Sequence, residues 1–172
     1  MDNNVFLIGF MGAGKTTIGR RLSWKLHIPV EDTDKRLELF EGKTITEIFA
    51  SDGEEYFRDL ETELLKVISR RPYQRIFSVG GGMPMREQNR ELMKRSGTVV
   101  YLRVKPETVF ERLKEDTSRP LLQCEDPLQK IKDLMAARKD AYESCADVIL
   151  DVDDLTPLEC VDRLVTALEG KL

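Results

Sequence analysis

The segment Gly9-Phe10-Met11-Gly12-Ala13-Gly14-Lys15-Thr16 constrains this chain more than any other feature. It follows the apolar run 5–8, which reads as a buried strand. It leads into Lys15–Leu26, where Ile18, Leu22 and Leu26 share one helical stripe. The pattern G-x-x-x-x-G-K-[ST] in that strand-to-helix context is a phosphate loop. Its glycines let the backbone wrap closely round an anion, so that successive N–H groups and the helix N-terminus face phosphate. Gly12, Ala13, Gly14, Lys15, Thr16 and Thr17 are therefore the candidate phosphate-binding residues of an ATP site. In such a loop the lysine reaches the β- and γ-phosphates, and the Thr16 hydroxyl ligates Mg²⁺.

Further short β-rich runs at 28–31, 75–79, 98–103 and 148–152 alternate with stretches of helical period. Glu54–Ser69 is one of these, with Phe57, Leu60, Leu64 and Ile68 in register. Helix starts are marked by Thr44 with Glu47, by Asp126-Pro127, and by Thr156-Pro157 with Glu159. Strands separated by helices predict an α/β domain with a mainly parallel sheet, spanning residues 1–172 as one unit. Two stretches exceed what the scaffold needs. Residues 32–69 run longer than one crossover helix needs, and 116–125 is a polar, proline-broken connection. Substrate clamps and lids sit in such insertions.

The chain has 172 residues, 41% of them apolar and 34% charged, with a net charge of -4. That balance predicts a soluble protein without nucleic acid or an anionic membrane as its main partner. With no leader pattern and no apolar run of membrane-spanning length, the expected location is cytoplasmic. Cys124, Cys145 and Cys160 form no CxxC pair and show no metal spacing, so they read as reduced, partly buried small residues. His27, the only histidine, falls at a helix end without an apparent orienting partner and reads as structural.

Asp32-Thr33-Asp34 closes the second strand, and in parallel α/β sheets ligands collect at the carboxyl ends of strands. Asp32 is the candidate for the Mg²⁺ shell, through water, and Asp34 for the acceptor hydroxyl. A bland reading of Asp34 is the N-cap of a helix over 35–40. Gly80-Gly81-Gly82 follows the third strand directly, which suggests backbone N–H groups pressed close to a ligand; a tight turn is the alternative. Arg58 and Arg138 border apolar helical faces, Arg138 in the series Ile131, Leu134, Met135, Arg138, Tyr142. Their forks suit a ligand carboxylate or, equally, a buried acidic partner. Arg119, in Ser118-Arg119-Pro120, suits stabilisation of transition-state charge.

Taken together, GFMGAGKTTIG (9–19), DTD (32–34), TITEIFASDGEEYFRDLE (44–61), VGGG (79–82), REQNRELMKRSGTVVYL (86–102), SRPLL (118–122) and RKDAYESCAD (138–147) resemble the shikimate kinases. The resemblance spans nearly the whole chain. It implies the three-layer P-loop fold of the nucleoside-monophosphate-kinase type: a five-stranded parallel sheet, a substrate-binding region near 33–61 and a mobile lid near 116–126. It implies transfer of the ATP γ-phosphate to the 3-hydroxyl of shikimate, by a monomer using Mg²⁺, on the route to chorismate. By position it implies Asp34, Arg58, Arg138 and Gly80, Gly81 and Gly82 as shikimate contacts, and Lys15 and Arg119 as phosphate cations. Arg112 and Pro157 would bracket adenine. The third strand ends in Ser78-Val79-Gly80 without a Walker B aspartate, and the resemblance implies that Asp32 substitutes. A kinase of another polyhydroxy acid such as gluconate, or a nucleotide-binding regulator without catalysis, are the competing readings.

Overall fold

Five strands, β1 (Asn4–Ile8), β2 (Val30–Asp32), β3 (Ile76–Ser78), β4 (Gly97–Arg103) and β5 (Val148–Asp151), form one sheet in the order β2-β3-β1-β4-β5. Every pairing is parallel. The computed structural model describes residues 3–71, 73–118 and 122–172. Parallel strands need crossovers, and helices supply them here: α1 (Lys15–Leu26), α2 (Thr33–Glu41), α3 (Ile45–Asp52), α4 (Glu54–Ser69), α5 (Glu87–Ser96), α6 (Pro106–Leu113), α7 (Pro127–Cys145) and α8 (Pro157–Leu168).

Alternation along β1 explains the three layers. Val5 and Leu7 pack with Ile18 and Leu22 of α1, Val109 of α6 and Val161 and Leu164 of α8. Phe6 and Ile8 point the opposite way, onto Leu37 of α2, Ile48 of α3, Phe57, Leu65 and Ile68 of α4 and Tyr142 of α7. All five β1 residues are buried, so both faces of the strand are covered. Each fully buried side chain of this size contributes roughly 1.5–3 kcal/mol.

The helix starts lie where the caps place them. Thr44 and Thr156 each close a capping box, with Glu47 and Glu159, and Asp126 caps α7. The left-handed His27 ends α1. One alternative falls away and one strand boundary is corrected. The cap of α2 is Asp32, whose carboxylate accepts from the Lys35 N–H at 3.1 Å, so Asp34 lies inside the first turn. The second strand starts at Val30 rather than 28, because the Ile28 N–H still bonds back to Ser23 O at 3.2 Å. Cys145 and Cys160 are buried, but Cys124 is exposed. Among the described residues no helix is long and apolar enough to cross a membrane.

Candidate active site

The phosphate loop fills the turn from β1 into α1. Gly9, Gly12 and Gly14 have φ of 150°, 78° and 93°, and a Cβ at Gly9 would sit 2.7 Å from Leu102 O, so glycine is required there by both conformation and space. The Ala13 N–H donates to Phe10 O at 3.1 Å, which tightens the turn. The Lys15 ammonium folds over the loop and donates to Gly9 O at 2.7 Å and Phe10 O at 3.1 Å. Thr16 and Thr17 are exposed in the first turn of α1, at its electropositive end.

Register brings the second strand alongside. Asp32 pairs with Ser78 across β2 and β3, and the Thr16 hydroxyl donates to the Asp32 carboxylate at 3.4 Å. The two metal candidates are thus neighbours. Arg112 reaches from α6 to Gly12 O at 2.7 Å, and it also acts electrostatically on Cys160, one turn into α8 from the exposed Pro157. Arg112 therefore spans from the phosphate loop toward the start of α8. Arg119, the lid cation of the sequence reading, lies outside the described residues, as do Pro120 and Leu121.

The triple glycine has a role that its sequence did not reveal. None of Gly80, Gly81 and Gly82 has a positive φ, so conformational freedom is not what selects glycine. Space is. A Cβ at Gly80 would collide with the Asp34 carboxylate, and one at Gly82 with the Arg58 guanidinium. At Gly81 it would come within 3.1 Å of Arg138 Nη1. Three side chains from α2, α4 and α7 thus lie on one bare strip of backbone at the carboxyl end of β3. The expectation of free N–H groups is corrected at Gly80, whose N–H is taken by Thr33 Oγ1 at 3.1 Å. Thr33 Oγ1 also donates to Ser78 O at 3.3 Å, which fixes the end of β2 to the end of β3.

Each arginine has a base beneath it. The Arg58 guanidinium lies over the Phe57 ring at 5.4 Å, and Phe49 of α3 packs edge-on against that ring at 5.2 Å. Arg138 lies over Phe10 of the phosphate loop at 5.7 Å. A guanidinium held over an aromatic ring is restrained without consuming its donors. Glu61, not among the candidate residues of the sequence, accepts from Arg58 Nη1 at 2.7 Å and is completely buried. Its spacing of three residues from Arg58 on α4 was the available signal. Farther back, Thr62 donates to Asn89 at 2.8 Å and Asn89 donates to Met83 O at 2.9 Å, tying α4 to the turn after Gly82.

Electrostatics mark the same place. Burial pushes the Asp34 carboxyl up to about 6, with the Asp32 charge adding and Lys15 and Arg58 opposing. Burial also raises Glu61 to about 7, with a further push from Asp34 and relief from Arg58. One oxygen on each, Asp34 Oδ1 and Glu61 Oε1, is buried without a hydrogen-bond partner. An unpaired buried acceptor costs about 1–3 kcal/mol. Such a cost, with perturbed ionisation beside a phosphate loop, is characteristic of a functional site.

Comparison with known proteins agrees with this geometry. The family model described as shikimate kinase matches residues 11–169. A shikimate kinase of Thermodesulfovibrio yellowstonii is 40% identical over 166 residues, covering 96% of this chain and 95% of that protein. One of Sulfurihydrogenibium sp. is 40% identical over 168 residues, covering 98% and 99%. The solved shikimate kinase from Acinetobacter baumannii in complex with shikimate superposes with a TM-score of 0.90 at 36% identity, over 99% of this chain and 95% of that one. A gluconokinase from Sinorhizobium meliloti shares the fold alone, with a TM-score of 0.63 at 16% identity. With its phosphate loop and matches of this extent, the chain belongs to the shikimate kinase family.

Proposed function

We propose that this protein transfers the γ-phosphoryl group of ATP to the 3-hydroxyl of shikimate, giving ADP and shikimate 3-phosphate on the route to chorismate. The observation that carries this reading is the convergence of Asp34, Arg58 and Arg138 on Gly80, Gly81 and Gly82, beside Lys15. An acceptor with a carboxylate at one end and a hydroxyl at the other fits that set. The two arginines hold the carboxylate, and Asp34 accepts a hydrogen bond from the attacking hydroxyl. With its acidity near pH 6, Asp34 is largely ionised at neutral pH yet basic enough to take the proton as the O–P bond forms.

Lys15 and the first N–H groups of α1 neutralise the phosphates, the largest demand in a loose phosphoryl-transfer transition state. Arg119, carried over from the family resemblance, adds a cation from the lid near 116–126. The substrate-binding region is the stretch near 33–61. Thr16 and Asp32 fit a Mg²⁺ ion: they are two adjacent oxygen donors with exposure enough for water, and Mg²⁺ keeps several waters. Among the described residues no group of three or more acidic, His or Cys side chains competes as a metal cage. Held there, such an ion would supply charge neutralisation for the phosphates.

Product analysis tests the assignment. Incubation with ATP and shikimate, followed by phosphorus and carbon NMR, is expected to give one phosphomonoester at the 3-position. Phosphorylation of a different hydroxyl, or none, would overturn it.

A further inference from the structure

The hydroxyl of Tyr142 stands behind this site. Tyr142 is 1% exposed and lies one turn beyond Arg138 on α7, so the two share a face. Its phenol donates to Gly81 O at 2.7 Å and interacts electrostatically with the Arg138 guanidinium beside it. A Cβ at Gly81 would come within 3.5 Å of that same hydroxyl. One O–H group therefore joins the middle glycine of the strip to one of the two carboxylate arginines. The Phe10 ring lies under the Arg138 guanidinium, and a Cβ built on Gly81 would meet both Arg138 Nη1, at 3.1 Å, and the phenol. Burial pushes the Tyr142 phenol above its ordinary range, so the proton given to Gly81 O stays in place at physiological pH.

We propose that Tyr142 is a positioning residue for the acceptor: its hydroxyl sets Arg138 and the Gly81 peptide in mutual register for the substrate carboxylate. The proposal rests on the reading of Arg138 as a carboxylate ligand. A buried tyrosine that merely satisfies its hydroxyl would fill the core equally well, and the ring of Tyr142 does pack against Tyr101 at 5.1 Å. The two roles differ in their kinetic consequences. A packing role acts on the stability of the whole domain. A positioning role acts on the affinity for the acceptor and only through Arg138 and Gly81.

The test is a double-mutant cycle read in steady-state kinetics. Tyr142→Phe keeps the ring and deletes the hydroxyl, and Tyr101→Phe controls for loss of a phenol from the same aromatic pair. In Tyr142→Phe the KM for shikimate is expected to rise about five- to tenfold, the loss of one net hydrogen bond. Its kcat and the KM for ATP should stay within about twofold, and Tyr101→Phe should leave all three unchanged. In an Arg138→Ala background the added Tyr142→Phe change should raise KM by less than about twofold, whereas in an Arg58→Ala background it should keep its full factor. A full effect in the Arg138→Ala background, or equal rises in both substrates' KM, would reduce Tyr142 to packing and overturn the proposal. An unchanged shikimate KM in Tyr142→Phe while Arg138→Ala raises it would overturn the proposal alone. An unchanged shikimate KM in both would remove the carboxylate reading beneath it.

Discussion

The guanidinium of Arg58 occupies the space in which a side chain on residue 82 would begin, so Gly82 is glycine because Arg58 is where it is. Gly80 stands in the same relation to Asp34. The strip is a surface shaped by what must lie against it, and not a hinge.

Gly82→Ala should therefore separate folding from function. The methyl group meets the far end of an arginine, which can shift while keeping its contact with Glu61, so thermal unfolding should move by only a few degrees. The displaced guanidinium leaves the acceptor site, and kcat/KM for shikimate should fall at least about tenfold. Thermal melts beside kinetics check this. An active Gly82→Ala enzyme would show that Arg58 need not lie where it does.

Arg58→Ala and Arg138→Ala should raise the KM for shikimate by about ten- to a hundredfold, since a hydrogen bond to a charged group is worth roughly 1.5–3 kcal/mol. ATP affinity should change little. Arg58→Ala also leaves Glu61 buried without its cation, a loss of about 3–5 kcal/mol if Glu61 stays charged. With its acidity near pH 7 Glu61 can take up a proton instead, so the folded fraction must be measured first. Collapse of ATP binding with intact shikimate binding would reverse the assignment of the two arginines.

Asp34→Asn retains shape and removes the charge that the proposed mechanism uses to orient the attacking hydroxyl. Turnover should drop about a hundredfold or more, with the Kd for ATP nearly unchanged. In the wild type, kcat/KM should rise with pH through about 6, because Asp34 accepts only when ionised. Stopped-time assays from pH 5 to 8 read this limb. A flat profile, or full activity in Asp34→Asn, would remove Asp34 from the chemistry.

Glu61 predicts a stability signature of definite sign. Its carboxyl stands at about 7 in the fold against 4.5 in the unfolded chain, so the folded state binds the proton more tightly. Stability must then decline as pH rises from about 4.5 to about 7 and level off above. Glu61→Gln keeps an acceptor for Arg58 and cannot titrate, so its advantage over wild type should grow across that window. Urea unfolding at several pH values measures the difference. A constant difference between the two proteins would show that Glu61 titrates in the ordinary range.

Much of this was legible in the sequence because the signals are local. The phosphate loop sits between its strand and helix, the extents of α1 and α4 follow the apolar stripes, and Thr44, Asp126 and Thr156 cap where their spacing indicates. Ile28 misled because a β-branched residue there still closes the end of α1, its N–H bonding to Ser23 O, and the ladder begins only with Pro29 O accepting from Ile76. Asp34 was weighed as a cap because sequence cannot tell which of two aspartates spaced by two starts a helix. The space-making role of the glycines, the depth to which Glu61 is buried and the Phe10 ring beneath Arg138 depend on contacts between distant elements, which no local pattern records.

The central claim is that a carboxylate-bearing hydroxy acid is phosphorylated on the glycine strip. A coupled assay of ADP release with shikimate, quinate, gluconate or no acceptor tests it most directly. The account predicts Mg²⁺-dependent release that appears on adding shikimate and has its highest kcat/KM with that acid. Release at the same rate without any acceptor, or a higher kcat/KM with gluconate, would contradict it.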